Sequence, residues 1–168
     1  MITVTRYHDF CAGHRVAGHE NKCAHLHGHN YRVHFTCQMG SPEMGVQLAN
    51  HLSGVSTPEL DELGRVIDFN VIKAKLCTWL EDNWDHKFLL WDQDKAYTRF
   101  CRDLLDTDMI DLIDRSIVGT EFNPTAENMA KYLVEEVGPQ QLEGTGVVLI
   151  RVVVEETRKC SATYEVNL

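Results

Sequence analysis

No stretch of this chain comes near the roughly 18 consecutive apolar residues that a membrane-spanning helix needs, so no membrane partner is expected. The opening residues, Met1-Ile2-Thr3-Val4-Thr5-Arg6, lack the charged region and apolar core of a secretory signal, which leaves a cytoplasmic protein as the expectation. Positive charge is scarce, with 16 Lys and Arg against 25 Asp and Glu and a formal charge of −9. No basic patch is visible, and no nucleic-acid partner is expected. Repeats, low-complexity runs and Gly/Ser/Pro linkers are also missing, so the 168 residues read as one domain, 1–168. Apolar residues at 43% and charged residues at 24% exclude a disordered tail, a coiled coil and a collagen-like repeat. The six cysteines (Cys11, Cys23, Cys37, Cys77, Cys101 and Cys160) are scattered. Without a signal they read as reduced thiols rather than a disulfide framework.

What the chain does have is histidine. Seven of the nine fall between His8 and His34, and the tightest group is His25-Leu26-His27-Gly28-His29.

The pattern around that group is strand-like. Tyr31, Val33, Phe35, Cys37 and Met39 alternate with polar residues, the period-2 signature of a half-buried antiparallel strand. Residues 3–10 alternate more weakly, 147–154 form a β-branched run, and 162–166 supply a short partner. Two stretches read as helices. Ile72, Leu76, Trp79 and Leu80 make one apolar face, and Met129, Ala130, Leu133, Val134 and Val137 make another. Thr125 stands where an N-cap belongs, with Glu127 in the first turn behind it. A third helix is expected over 103–117, and 40–65 reads as a long excursion. Strand pairs at both ends with helices between them give α+β, an antiparallel sheet with helices on one face. Its open edges and twice-covered central strand favour assembly into an oligomer.

Zinc chemistry needs imidazoles or thiolates that converge, and a catalytic site leaves one position open. His27 and His29 lie two apart, so on a strand both rings project from one face. Gly28 between them adds no side chain to crowd that point. His14, just past the first strand, comes close if the two strands pair as a hairpin. His25 reads as exposed or supporting, and His8, His19, His34 and His51 as ordinary histidines. Cys23, four residues before His27, fits a proton-transfer thiolate, a further metal ligand or a buried thiol. Asp85-His86 has the form of a carboxylate poising an imidazole. Glu155-Glu156 ends an apolar strand, as solvated turn residues or as acceptors for an N–C–N edge. A structural zinc module built on Cys11, Cys23, His27 and His29 is the non-enzymatic alternative.

Five blocks taken together carry a resemblance. They are Phe10-Cys11-Ala12-Gly13-His14-Arg15-Val16 with Lys22-Cys23 and Leu26-His27-Gly28-His29-Asn30-Tyr31; Val66-Ile67-Asp68-Phe69; Asp85-His86-Lys87-Phe88-Leu89; Asn123-Pro124-Thr125-Ala126-Glu127-Asn128; and Val153-Val154-Glu155-Glu156-Thr157. In this order they resemble the 6-pyruvoyl-tetrahydropterin synthase / 6-carboxytetrahydropterin synthase family.

That resemblance implies a tunnelling fold (T-fold), a four-stranded antiparallel sheet with two main helices on one face. It also implies homo-oligomers, trimers whose sheets close into a barrel or dimers of trimers. It makes His14, His27 and His29 the ligands of Zn2+, and Cys23, Asp85 and His86 the proton-transfer group, with the Asp-His pair reaching in from a neighbouring chain. Glu156 would accept hydrogen bonds from the edge of a pterin, with Thr125 nearby. Arg15 and Lys22, with Lys87, Arg158 and Lys159, would be candidates for a triphosphate. The implied substrate is 7,8-dihydroneopterin triphosphate. The spacing Cys-x3-His-Gly-His resembles the carboxylating branch, a carbon-carbon lyase that releases acetaldehyde and triphosphate on the way to queuosine-type 7-deazaguanines. The pyruvoyl branch, which eliminates triphosphate only, is the alternative. Added material around 40–64 and 91–120 separates this chain from compact members of the family.

Overall fold

The computed structural model describes residues 2–40, 60–96, 98–99 and 115–166. Six strands form one sheet: β1 (Thr3–His14), β2 (His27–Met39), β3 (Lys87–Trp91), β4 (Ile117–Thr120), β5 (Val147–Thr157) and β6 (Cys160–Glu165), in the order β4-β3-β1-β2-β5-β6. The antiparallel core β1-β2-β5-β6 is the four-stranded sheet expected from the sequence. The correction lies at its β1 edge, where β3 and β4 add two parallel strands and make the sheet mixed. Four- and five-residue runs such as Ile-Val-Gly-Thr are too short for periodicity to show. The expected third helix falls mostly on residues 103–114, outside the described residues, and Ile117 at its end begins β4 instead. Most of the added material around 40–64 and 91–120 is also outside them.

Two helices lie against the sheet. The first, α1, runs through Phe69–Ile72, a π-helical turn Lys73–Cys77 and Thr78–Asn83. The second, α2, runs through Ala126–Tyr132, a π-helical turn Leu133–Val137 and Gly138–Leu142. Asp68 caps α1 by accepting from the Asn70 N–H, and Thr125 caps α2 by accepting from the Asn128 N–H. Ile72, Leu76, Leu80, Met129 and Leu133 are completely buried against Val33, Phe35, Val152 and Val154 of the sheet. Each such side chain contributes roughly 1.5–3 kcal/mol through burial. Among the described residues no helix is long and apolar enough to cross a membrane.

Alternation decides what this core places at its end. On β1 the even-numbered residues face the helices, and on β2 the odd-numbered ones do. The face that buries Phe10, Ala12, Tyr31 and Val33 therefore also carries His14, His27 and His29.

Candidate metal centre and adjoining cleft

The β1–β2 ladder sets His14 directly opposite His27, and Ala12 opposite His29. The ring centroids lie 4.5 Å apart for His14 and His27, 4.9 Å for His27 and His29, and 5.2 Å for His14 and His29. One ligand nitrogen from each ring lies within 4.8 Å of the other two. Gly28, between the two rings, adds no side chain on the opposite face, where a Cβ would stand a tight 3.1 Å from the Ala12 carbonyl oxygen.

Tautomers follow from the hydrogen bonds, because a carbonyl can only accept. His14 Nδ1–H donates to the Pro124 carbonyl at 2.7 Å, and His27 Nδ1–H donates to the His25 carbonyl at 2.8 Å. In the neutral form each ring keeps a bare Nε2. The Nε2 atoms of His14 and His29 are buried and have no hydrogen-bond partner among the described residues. Burial holds both imidazoles below the usual histidine range, against the upward pull of the nearby Glu156 carboxylate. Neutral imidazoles with orphaned, converging lone pairs are what a divalent cation of the zinc type requires, so the donor set fits the implied group.

Glu156 borders this cluster on its His14 and His29 side. Its Oε1 lies 3.4 Å from His14 Nε2 and 3.6 Å from His29 Nε2. Sequence reasoning placed this carboxylate at the edge of a pterin ring, but here it is directed at the imidazole nitrogens.

The other expected residues are spread around the centre. Thr125 is held as the cap of α2, next to the Pro124 carbonyl that takes the His14 proton. Asn123 fixes the same corner by exchanging two hydrogen bonds with the Ala17 backbone. Neither Pro124 nor Asn123 drew a role of its own in the sequence, although both stand in the quoted Asn-Pro-Thr-Ala-Glu-Asn block. Cys23 is a free, half-buried thiol in the 3-10 turn Lys22–Ala24, and its carbonyl accepts from the Val16 N–H. Lys22 is exposed in the same turn.

Asp85 and His86 sit where α1 meets β3. Asp85 Oδ1 accepts from the Cys11 N–H at 2.8 Å, and its Oδ2 lies 2.9 Å from His86 Nδ1. The His86 N–H donates to the Cys11 carbonyl, and its backbone has φ +57 with the side chain 80% exposed. That left-handed conformation costs a non-glycine residue of order 1–3 kcal/mol, a strain that collects at functional positions. Burial alone would raise the Asp85 carboxyl, but the Cys11 N–H and His86 hold it below the usual carboxylate range.

A cleft of about 750 Å3 joins the two groups, lined by Cys11, His29, Asn30, Asp85, His86, Glu156 and Arg158 among others. Cys23 is not among its lining residues. Of the candidate cations, Arg15 is paired with the buried Asp94 at 2.9 Å, and Lys87 donates to the Asp82 carbonyl. Arg158 is the one that lines the cleft.

The comparisons with known proteins agree with this frame. The family model for 6-pyruvoyl tetrahydropterin synthase matches residues 3–167. The chain is 31% identical over 160 residues to the 6-carboxy-5,6,7,8-tetrahydropterin synthase of Rickettsia bellii, covering 95% of this chain and 97% of that protein. It is 32% identical, with the same coverage, to the protein of that name from Rickettsia typhi. In fold it resembles an uncharacterized protein from Wolinella succinogenes, with a TM-score of 0.73 at 22% identity over 98% of this chain and 97% of that one. It also resembles the 6-pyruvoyl tetrahydropterin synthase of Caenorhabditis elegans, with a TM-score of 0.56 at 24% identity over 99% and 96%. By the family match and by identity along nearly its whole length, the chain belongs to the 6-pyruvoyl tetrahydropterin synthase family.

Proposed function

We propose that this protein is a zinc-dependent carbon-carbon lyase that converts 7,8-dihydroneopterin triphosphate to 6-carboxy-5,6,7,8-tetrahydropterin, acetaldehyde and triphosphate. The observation that carries the reading is the convergence of three imidazoles whose outer protons are tied to backbone carbonyls where the hydrogen bonds are seen. Its setting supports it, in a chain about a third identical to proteins named 6-carboxy-5,6,7,8-tetrahydropterin synthase. The Cys23-x3-His27-Gly28-His29 spacing favours the carboxylating over the pyruvoyl branch.

His14, His27 and His29 would hold the metal. When bound, the metal supplies a Lewis acid that acidifies the adjacent hydroxyls of the substrate side chain. Cys23 takes and returns the protons on the side-chain carbons. His86 relays them, with Asp85 holding Nδ1 so that Nε2 is the working nitrogen. The 80% exposure of His86 suits service to a neighbouring subunit's site. Arg158 meets the phosphates. The C1′–C2′ bond breaks, C3′ loses triphosphate, and C2′ and C3′ leave as acetaldehyde. C1′ is retained as the carboxylate, its second oxygen supplied by one water, and its oxidation furnishes the two electrons gained by the ring, so no external reductant is needed. The product would feed 7-deazaguanine synthesis of the queuosine type.

Assembly into trimers, or pairs of trimers, suits a sheet whose edge strands β4 and β6 have no outer partner strand among the described residues and whose helix-free face exposes Tyr7. Incubating the zinc-loaded protein with 7,8-dihydroneopterin triphosphate and reading the pterin by mass spectrometry tests the assignment. The carboxy product supports it, whereas a pyruvoyl product moves the enzyme to the other branch.

A further inference from the structure

Glu156 has a geometry that gripping a pterin edge does not explain. Its Oε1 approaches two nitrogens, at 3.4 Å from His14 Nε2 and 3.6 Å from His29 Nε2, and neither nitrogen has a hydrogen-bond partner among the described residues. The His14 proton is on Nδ1, donated to Pro124, so its Nε2 turns a lone pair toward the carboxylate oxygen. A lone pair facing a carboxylate oxygen is favourable only with a metal ion or a proton between them, and a metal ion meets both nitrogens at once. Zinc–ligand bonds of 2.0–2.2 Å at tetrahedral angles place neighbouring ligand atoms about 3.4 Å apart. The separations from His14 and His29 match that edge; Glu156 stands outside the group that His14, His27 and His29 form within 4.8 Å of one another, so the carboxylate has to move toward His27 to complete the set. Strand alternation supplies the aim, because Val152 and Val154 face the core and Glu156, two residues on, continues that face, while Glu155 turns to His34 on the other.

We propose that Glu156 is a displaceable fourth ligand. It closes the metal position in the empty enzyme and leaves it when a substrate carrying adjacent hydroxyls arrives. A carboxylate held on the metal is drawn away from a pterin edge, so the two roles compete. The inference rests on His14, His27 and His29 being the metal ligands.

The test uses full-length protein loaded with Co2+, whose visible spectrum reports ligand number and type. Wild type, Glu156→Gln, Glu156→Asp and His29→Ala are compared, with folding checked by circular dichroism. The Asp variant keeps the charge but shortens the reach. Without any pterin, both Glu156 variants should differ from wild type in band position and intensity. Adding 7,8-dihydroneopterin should move the wild-type spectrum, and a wild-type spectrum that the pterin leaves unchanged overturns the displacement. A wild-type spectrum retained by Glu156→Gln, or by Glu156→Asp, overturns the proposal. Wild type that takes up no stoichiometric Co2+, or His29→Ala that takes it up as wild type does, overturns the metal site itself.

Discussion

His14 and His27 stand opposite each other across the β1–β2 ladder, and each donates its Nδ1 proton to a backbone carbonyl outside that ladder. The rings are thereby oriented before any metal arrives, as outer-shell partners orient metal-binding histidines generally. The two carbonyls come from different places. His25 is in the turn before β2, whereas Pro124 belongs to the corner that opens α2.

This asymmetry separates two variants. Both His14→Ala and His29→Ala should lose bound metal and turnover. His14 is only 1% exposed and its loss strands the Pro124 carbonyl, so His14→Ala should lower metal-free stability by about 1–3 kcal/mol. His29→Ala should cost visibly less. Urea unfolding of the metal-free proteins measures the difference, and equal midpoints contradict it.

Cys23→Ala should keep one metal per chain and lose turnover. Metal analysis beside an activity assay decides this, and loss of the metal would make the thiol a ligand instead.

Much of the centre was legible because strand alternation is local: His27 and His29 had to share a face, and a hairpin had to bring His14 across. What depended on distant partners was not legible. Arg15 meets Asp94, and Lys87 closes on the Asp82 carbonyl, so two expected phosphate cations are already engaged within the fold. The nearness of Glu156 to the imidazoles depends on the pairing of β5 with β2, which no local residue pattern announces. Strands β3 and β4 escaped because they are short and pair in parallel with elements far along the chain.

The contact of α2 with β5 gives a prediction remote from the chemistry. A Cβ on Gly138 would stand 2.9 Å from Leu149 Cβ and 3.3 Å from the Leu133 carbonyl oxygen. Gly138→Ala should therefore destabilise by about 1–3 kcal/mol through overpacking. Helix propensity alone would give the opposite sign, a gain of roughly 0.5–1 kcal/mol. A raised unfolding midpoint contradicts the close packing.

Asp85 predicts an acid limb. Its folded carboxyl lies below the usual 3.8, held there by the Cys11 N–H and His86 against the opposing effect of burial. The unfolded chain therefore takes up the proton first as pH falls. The contribution is complete above about pH 4 and is lost as pH drops through the folded value. Unfolding midpoints followed from pH 5 down to 2.5 should fall more steeply in wild type than in Asp85→Asn. Parallel curves contradict the bond to Cys11.

The most direct test is the fate of the substrate side chain. Apo and zinc-reconstituted protein, both checked for retained fold, are given 7,8-dihydroneopterin triphosphate, and acetaldehyde and triphosphate are counted together. The account predicts equal amounts of the two from the reconstituted enzyme and neither from the apo enzyme. Triphosphate released without acetaldehyde, or turnover that survives complete removal of the metal, contradicts it.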